Sequence, residues 1–219
     1  MNSIEWYFDF VSPFAYLQLE AFDQLGEARV TFRPVLFAGL LNYWGHKGPV
    51  EIPQKRRFTY RFVQWRAERD GVPLRFPPAH PFNPLKALRL AVAAGNGSAP
   101  VRTIFRHIWR EGRSIDDVPQ WNQLCTSVGV VDADTRINKP EVKDELRHNG
   151  ERAVAAGLFG VPSFVIDGEI FWGVDATGMV VDYLRDPQRF GSGEFARVAA
   201  LPIGVERPRK VRKRRACAA

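Results

Sequence analysis

Two stretches of this 219-residue chain hold residue types that could do chemistry. The first is Phe8-Asp9-Phe10-Val11-Ser12-Pro13-Phe14-Ala15-Tyr16, and the second, far along the chain, is Gly160-Val161-Pro162-Ser163 with the hairpin that follows. In the first, Ile4, Trp6, Phe8 and Phe10 alternate with Glu5, Tyr7 and Asp9, the period of a strand. Pro13 suits the first position of a helix, where its missing N–H costs nothing, so Ser12 falls at the N-cap. One reading of Ser12 is a helix cap and no more. The other is a hydroxyl at a helix N-terminus, where free amides and the helix dipole favour an anion. The two roles are compatible. Ser12 as a nucleophile is disfavoured, because no histidine or lysine stands beside it as a base.

The elements that must position these residues follow from pattern and punctuation. Ser163 to Asp167 and Glu169 to Trp172 are short apolar runs joined by Asp167-Gly168, a strong hairpin signal. Pro162 is either an ordinary trans proline at the start of a strand or a cis proline; both stay open. Trp172-Gly173-Val174-Asp175 then leads into a short helix with Met179, Val180, Tyr183 and Leu184 on one face, stopping before Pro187. Residues 29–37 read as a second strand, reached from the first through a helix over 13–26 ending near Gly26. That is a right-handed βαβ opening.

The middle of the chain reads as helical. Phe58, Phe62 and Trp65 mark a helix over 53–70, closed by Gly71. Leu85, Leu88 and Val92 mark another, capped by Asn83 with Pro84 as its first residue. Further helices are expected over 99–111, 117–128 and 140–156, with starts at Asp116 and Lys139-Pro140 and ends at Gly129 and Gly157.

Composition excludes several function classes. With 45 % hydrophobic residues the chain can bury a full core. It has no apolar run of ~20 residues to span a bilayer, and no signal peptide is read at its start. Cys125 and Cys217 stand in unrelated contexts, so no disulfide framework is expected and a cytoplasmic location fits. No metal site is read. The net charge of +7 equals the seven basic residues Arg207, Arg209, Lys210, Arg212, Lys213, Arg214 and Arg215, leaving 24 basic against 24 acidic residues elsewhere. Such a run is a solvated, disordered tail more often than a nucleic-acid arm. No dedicated nucleic-acid or membrane role is expected.

FDFVSPFAY near the start and GLFGVPSFVIDGEIFWGVD near the end, separated by helical sequence, resemble 2-hydroxychromene-2-carboxylate isomerases. The same pattern is similar to kappa-class glutathione transferases within the DsbA-like group, and it spans residues 3–186. The resemblance implies an α/β thioredoxin-like fold with an inserted all-helical domain: residues 1–37 and 158–195 in the thioredoxin-like unit, 38–157 in the insertion, and 196–219 as a C-terminal segment. Ser12-Pro13-Phe14-Ala15 then occupies the place of a Cys-Pro-x-Cys motif, which removes disulfide chemistry.

What the resemblance implies about function is a glutathione-dependent isomerase, with Ser12 hydrogen-bonded to the glutathione thiolate. Such a bond is worth roughly 1.5–3 kcal/mol and the helix terminus ~1 kcal/mol more. Together they would bring a thiol from about 8.5 to roughly 6. The backbone of Val161, before Pro162, would pair with the cysteinyl backbone. Trp172, Gly173, Val174 and Asp175 would hold the γ-glutamyl end, with Asp175 on the ammonium group, and Lys55 would take the glycyl carboxylate. Asn42 and Asn83 are weaker candidates for the pocket of a small aromatic substrate. Ala176 stands where relatives often carry a charged or hydroxyl residue, which implies thinner contacts there. A homodimer is expected. A kappa-like transferase or peroxidase and a non-enzymatic thiol- or peptide-binding module are the alternatives.

Overall fold

A computed structural model describes residues 4–205. The basic run from Arg207 onward and Cys217 lie outside the described residues. Residues up to 181 form one compact unit and those from 182 onward a second.

The first unit is built on a four-stranded sheet in the order β2-β1-β3-β4. Strand β1 (Ile4–Phe8) pairs in parallel with β2 (Val30–Pro34) and antiparallel with β3 (Ser163–Ile166), which forms a hairpin with β4 (Glu169–Trp172). The hairpin turn has positive φ at Asp167 (53°) and Gly168 (87°), matching the sequence signal. Between β1 and β2 runs helix α1 (Pro13–Glu20), started by Pro13 and capped by Ser12.

The middle of the chain supplies α2 (Phe37–Trp44), α3 (Pro53–Arg69), α4 (Leu85–Ala93), α5 (Ser98–Phe105), α6 (Val118–Val128), α7 (Ala133–Arg136) and α8 (Pro140–Ala155). A π-helical turn at Arg106–Arg110 extends α5. Helix α9 (Thr177–Arg185) follows the hairpin, and the boundary between the two units falls within it. No described helix is long and apolar enough to cross a membrane.

β1 is buried on both faces, which its alternating sequence does not announce. On one face Trp6 and Phe8 stack at 4.6 Å, with Phe22, Phe32, Phe105 and Phe164 around them. Truncating Trp6 to alanine would cost about 3–5 kcal/mol. On the other face Tyr7 packs with Val35, Leu40, Ala153, Leu158 and Val161. Helices α2 and α8, which the sequence places in the inserted segment, therefore lie directly on the sheet.

Three differences from the sequence reading have local causes. The helix expected over 13–26 ends at Glu20, and Phe22–Leu25 becomes a 3-10 turn, so that Phe22 reaches Trp6 at 4.9 Å. Helix α2 was not expected, because its cap is remote: the Phe37 amide donates to Asp9 Oδ2 at 2.8 Å. Asp117, and not Asp116, caps α6 by accepting from the Gln120 amide at 3.0 Å.

The second unit, as described, holds the end of α9, then α10 (Pro187–Phe190) and α11 (Gly193–Ala199). Asp186 caps α10, and Phe190 packs its ring 5.4 Å from Tyr183 and 4.8 Å from Phe195.

Candidate functional site

Ser12 sits where β1 ends and α1 begins, and its Oγ accepts from the Ala15 amide at 3.3 Å. Only 8 % of the residue is exposed. The cap uses an oxygen lone pair, so the hydroxyl proton is left to donate. The cap reading and the anion-binding reading therefore hold in one geometry.

The turn carrying Ser12 is held from three sides. Asp9, fully buried, accepts from the Val11 amide at 3.0 Å and from the Phe37 amide at 2.8 Å, joining the β1–α1 turn to the start of α2. Burial pushes its carboxyl up to about 7, against the pull of those two amides. Trp109 Nε1 donates to the Phe10 carbonyl at 2.8 Å. His80 Nε2 meets the Val11 carbonyl at 2.8 Å, and a carbonyl can only accept, so Nε2 carries the proton. Its Nδ1 then accepts from Tyr60 Oη at 2.7 Å, and that hydroxyl also lies 2.8 Å from the His80 carbonyl. Burial lowers the His80 pKa and keeps the ring neutral. The fold thus brings a histidine to the residue before Ser12, with both ring nitrogens engaged elsewhere. It is not placed as a base for a serine nucleophile.

The second motif joins the first through Gln18. This side chain is fully buried on α1, accepts from Trp6 Nε1 at 2.8 Å, and donates to the Gly173 carbonyl at 2.9 Å and to Thr177 Oγ1 at 3.1 Å. Thr177 in turn donates to the Val174 carbonyl at 2.8 Å. The Gly173 amide donates to the Pro162 carbonyl at 2.8 Å. Ser12, Pro162 and the Trp172–Asp175 turn are therefore tied into one assembly by named bonds. The Val161–Pro162 peptide is cis. Val161 stands two residues before Ser163, which with Tyr7 forms the last pair of the β1–β3 ladder, so its backbone is not used by that ladder.

Trp172, 55 % exposed, lies over Gly160 and stacks edge-on with Phe159 at 5.1 Å. A Cβ at Gly160 would stand 2.5 Å from the indole nitrogen, so glycine is required for this approach. Gly173 has φ of 87°, which lets the chain turn out of β4 into a 3-10 turn at Val174–Ala176.

The remaining predicted residues are exposed. Asp175 is paired with Arg66 at 2.6 Å, and Arg66 also holds Asp70. Lys55 is exposed in the first turn of α3. Eleven residues separate it from Arg66, so both lie on one face of α3, roughly 16 Å apart along the axis. That spacing suits an extended three-residue ligand of about 10–11 Å plus the reach of a lysine side chain. Asn42 is exposed on α2. Asn83 is exposed, and its Oδ1 accepts from the Leu85 amide at 3.0 Å, so its oxygen serves as a cap for α4. Pro84 precedes that helix rather than opening it.

Asp9, Gln18, Arg66, Tyr60, His80 and Trp109 were not among the predicted residues. Only Asp9 stood in a recognised motif; the others act through partners remote in sequence. Cys125 is a buried free thiol with its pKa pushed up to about 11 by burial, so it is inert at neutral pH. Among the described residues no cluster of histidine, cysteine and acidic side chains could hold a metal.

The chain is similar to a 2-hydroxychromene-2-carboxylate isomerase of Sphingobium xenophagum, 28 % identical over 84 % of this chain and 99 % of that protein. It is similar to glutathione S-transferase kappa 2 of Caenorhabditis elegans, 25 % identical over 84 % of this chain and 92 % of that protein. Among solved structures, a 2-hydroxychromene-2-carboxylate isomerase superposes with a TM-score of 0.72 at 21 % identity, covering 85 % of this chain and 96 % of that one. At that identity the likeness is one of fold. The sequence also matches the DSBA-like thioredoxin domain across residues 3–185. A thioredoxin-type sheet, a helix opened by Ser12 and a proline-led hairpin are the architecture of that match, and the chain belongs to the DSBA-like thioredoxin domain family.

Proposed function

We propose that this protein is a glutathione-dependent cis–trans isomerase of the 2-hydroxychromene-2-carboxylate isomerase type. The observation that carries the reading is the Ser12 geometry: a capped helix terminus with a hydroxyl proton to spare, tied through Gln18 and Gly173 to the Val161–Pro162 peptide. Relatives named as isomerases and as glutathione transferases support an enzyme of isomerase or transferase type.

Glutathione, when bound, supplies a sulfur nucleophile that adds reversibly to a conjugated carbon and is regenerated. The Ser12 hydroxyl donates to that sulfur, and the N-terminus of α1 favours its anionic form. The backbone of Val161, outside the β1–β3 ladder, offers the ligand a strand partner. The Trp172–Asp175 turn and Lys55 sit at the two ends of the span and suit its ammonium and carboxylate groups. Asp175 reaches an ammonium group with the oxygen that Arg66 does not hold, so Arg66 orients it.

An aromatic, anionic substrate is supported by the face of α3 beside Ser12. Phe14, two residues after Ser12, packs 6.2 Å from Phe62, which stacks on Phe58 at 5.8 Å. Arg57 and Arg61 line the groove along these rings. Asn42 and Asn83 remain proposed contacts at the rim. The free, inert Cys125 is in keeping with a reducing, cytoplasmic setting.

The test is turnover of 2-hydroxychromene-2-carboxylate, followed by absorbance, by wild type and Ser12→Ala. Only catalytic glutathione should be needed. The substitution should lower turnover roughly 10- to 100-fold, as for a lost charge-assisted hydrogen bond, and weaken glutathione binding less. Full turnover in the variant would leave Ser12 a cap alone and end this reading. Stoichiometric consumption of glutathione would make the chain a transferase, and affinity without turnover would make it a binding module.

A further inference from the structure

A second concave site lies on the opposite face of the sheet from α1. Helices α2, α4 and α8 enclose an open groove of about 660 Å³ there. None of Ser12, Lys55, Val161 or the Trp172–Asp175 turn lines it. Its floor is apolar, made by Leu40 of α2, Leu85 of α4, and Leu146 and Val154 of α8. The volume is in the range of small-molecule sites, which pair an apolar lining with a few placed polar groups.

Two features of this groove are not explained by folding. Gly39 lies inside α2 and Gly150 inside α8, and both line the groove. Glycine weakens a helix interior, yet a Cβ at either position would meet nothing within 4 Å. Packing does not require these glycines. They widen the groove. The other feature is charge. Arg89, Lys143 and Arg147 stand around the apolar floor with one carboxylate, Glu151. Arg147 is neutralised by Glu151 at 2.7 Å and Asp144 at 3.2 Å. Arg89 is not: among the described residues it has no carboxylate partner, its Nε is buried without a hydrogen-bond partner, and its Nη1 reaches Asn138 Oδ1 only at 3.5 Å. Arg89 lines the groove with no carboxylate on its guanidinium, and a ligand carboxylate would pair with it in the geometry that arginine prefers.

We infer that this groove binds a small amphipathic carboxylate, its apolar body over Leu40, Leu85, Leu146 and Val154 and its carboxylate on Arg89 with Lys143 beside it. The site is separate from the Ser12 assembly and does not depend on the reaction proposed there. The probe is 2-naphthoate, with 2-naphthalenemethanol as its neutral counterpart, titrated calorimetrically into the full chain. The acid should bind at least tenfold more tightly than the alcohol. Arg89→Gln and Lys143→Gln should each weaken it at least fivefold. Gly150→Leu should abolish binding by filling the groove, with the melting temperature unchanged or raised, because leucine strengthens the helix and meets open space. Turnover through Ser12 should be unaffected. Equal affinity for acid and alcohol would overturn the inference, as would naphthoate binding that survives Gly150→Leu. Loss of binding in Phe58→Ala instead would put the ligand on α3, and loss of a dimer in Gly150→Leu would make the groove a contact between copies; either result overturns it.

Discussion

The interior and the rim of the Ser12 site are built by opposite rules. In the interior, Asp9, Gln18 and Ser12 are buried; Asp9 and Gln18 are held by hydrogen bonds that reach across elements, and Ser12 by its cap on the Ala15 amide. At the rim, Lys55, Asn42, Trp172 and Asp175 are exposed, and Asp175 is kept in place by one arginine on α3. Buried polar groups must be paired or they cost the full desolvation penalty, so the interior has one arrangement. Exposed groups are paired with water and can rearrange around a ligand. The difference separates the tasks. The interior fixes where a hydroxyl and a helix terminus point, and the exposed residues are those proposed to meet the ends of a ligand.

The comparison breaks first at Asp9. Its carboxyl is raised from 3.8 to about 7 in the folded chain. Between those values the folded protein holds a proton that the unfolded chain has released. Stability from this group is therefore full below about pH 4 and is lost as pH rises toward 7, by up to about 4 kcal/mol. Asp9→Asn removes that titration. The stability of wild type relative to the variant, measured by denaturant unfolding, should fall by up to that amount between pH 4 and pH 8. A difference that stays constant with pH would show that Asp9 ionises normally and that the interior is wetter than its burial implies.

Gln18 comes next. Gln18→Leu keeps the bulk but leaves the Trp6 indole N–H and the Gly173 carbonyl without their partner. Two buried groups unpaired at about 1–3 kcal/mol each give a loss on the order of 3 kcal/mol. Glutathione affinity should weaken with it, because the Trp172–Asp175 turn loses its tie to α1. A variant as stable as wild type would mean that the two halves of the site are positioned independently.

The rim should respond more weakly. Lys55→Ala and Asp175→Asn should each reduce glutathione affinity by about tenfold or less, the worth of an exposed charge contact of ~1 kcal/mol, with thermal stability nearly unchanged. Calorimetric titration at two salt concentrations checks this, since screening should shrink both effects. Effects larger than that of Ser12→Ala on turnover would move the chemistry from the interior to the rim. Smallest of all is the effect expected from ending the chain at Glu206. The seven basic residues removed account for the whole net charge of +7. Melting temperature and turnover in moderate salt should match the full chain, with only weak polyanion binding lost. A large change in either would tie the segment to the body.

Parts of this protein were legible in its residues because their causes are local. Ser12 and Pro13 cap and start α1 through bonds that span three residues, Asp167-Gly168 sets the hairpin turn through its own φ angles, and Pro53 and Pro140 open α3 and α8 at the expected places. The motif pair also carried the family resemblance. Helix α2 was not legible, because the carboxylate bonded to its first amide belongs to Asp9 in another loop. Nor was the role of Arg66, whose partner Asp175 lies 109 residues away in the sequence.

The sequence by itself determined the strands of the hairpin, most of the helices and the identity of the residue at the head of α1. A strand period, a cap and a turn are decided by steric and hydrogen-bonding preferences within a few residues. Only the tertiary structure decided that Gln18 would link Trp6 to Gly173, that His80 would be locked on the Val11 carbonyl with no nitrogen left for Ser12, and that three helices would leave a basic, glycine-lined groove on the far face of the sheet. Those outcomes depend on which buried polar groups find partners once the two faces of β1 are covered. That pairing is a property of the packed chain, and no window of sequence contains it.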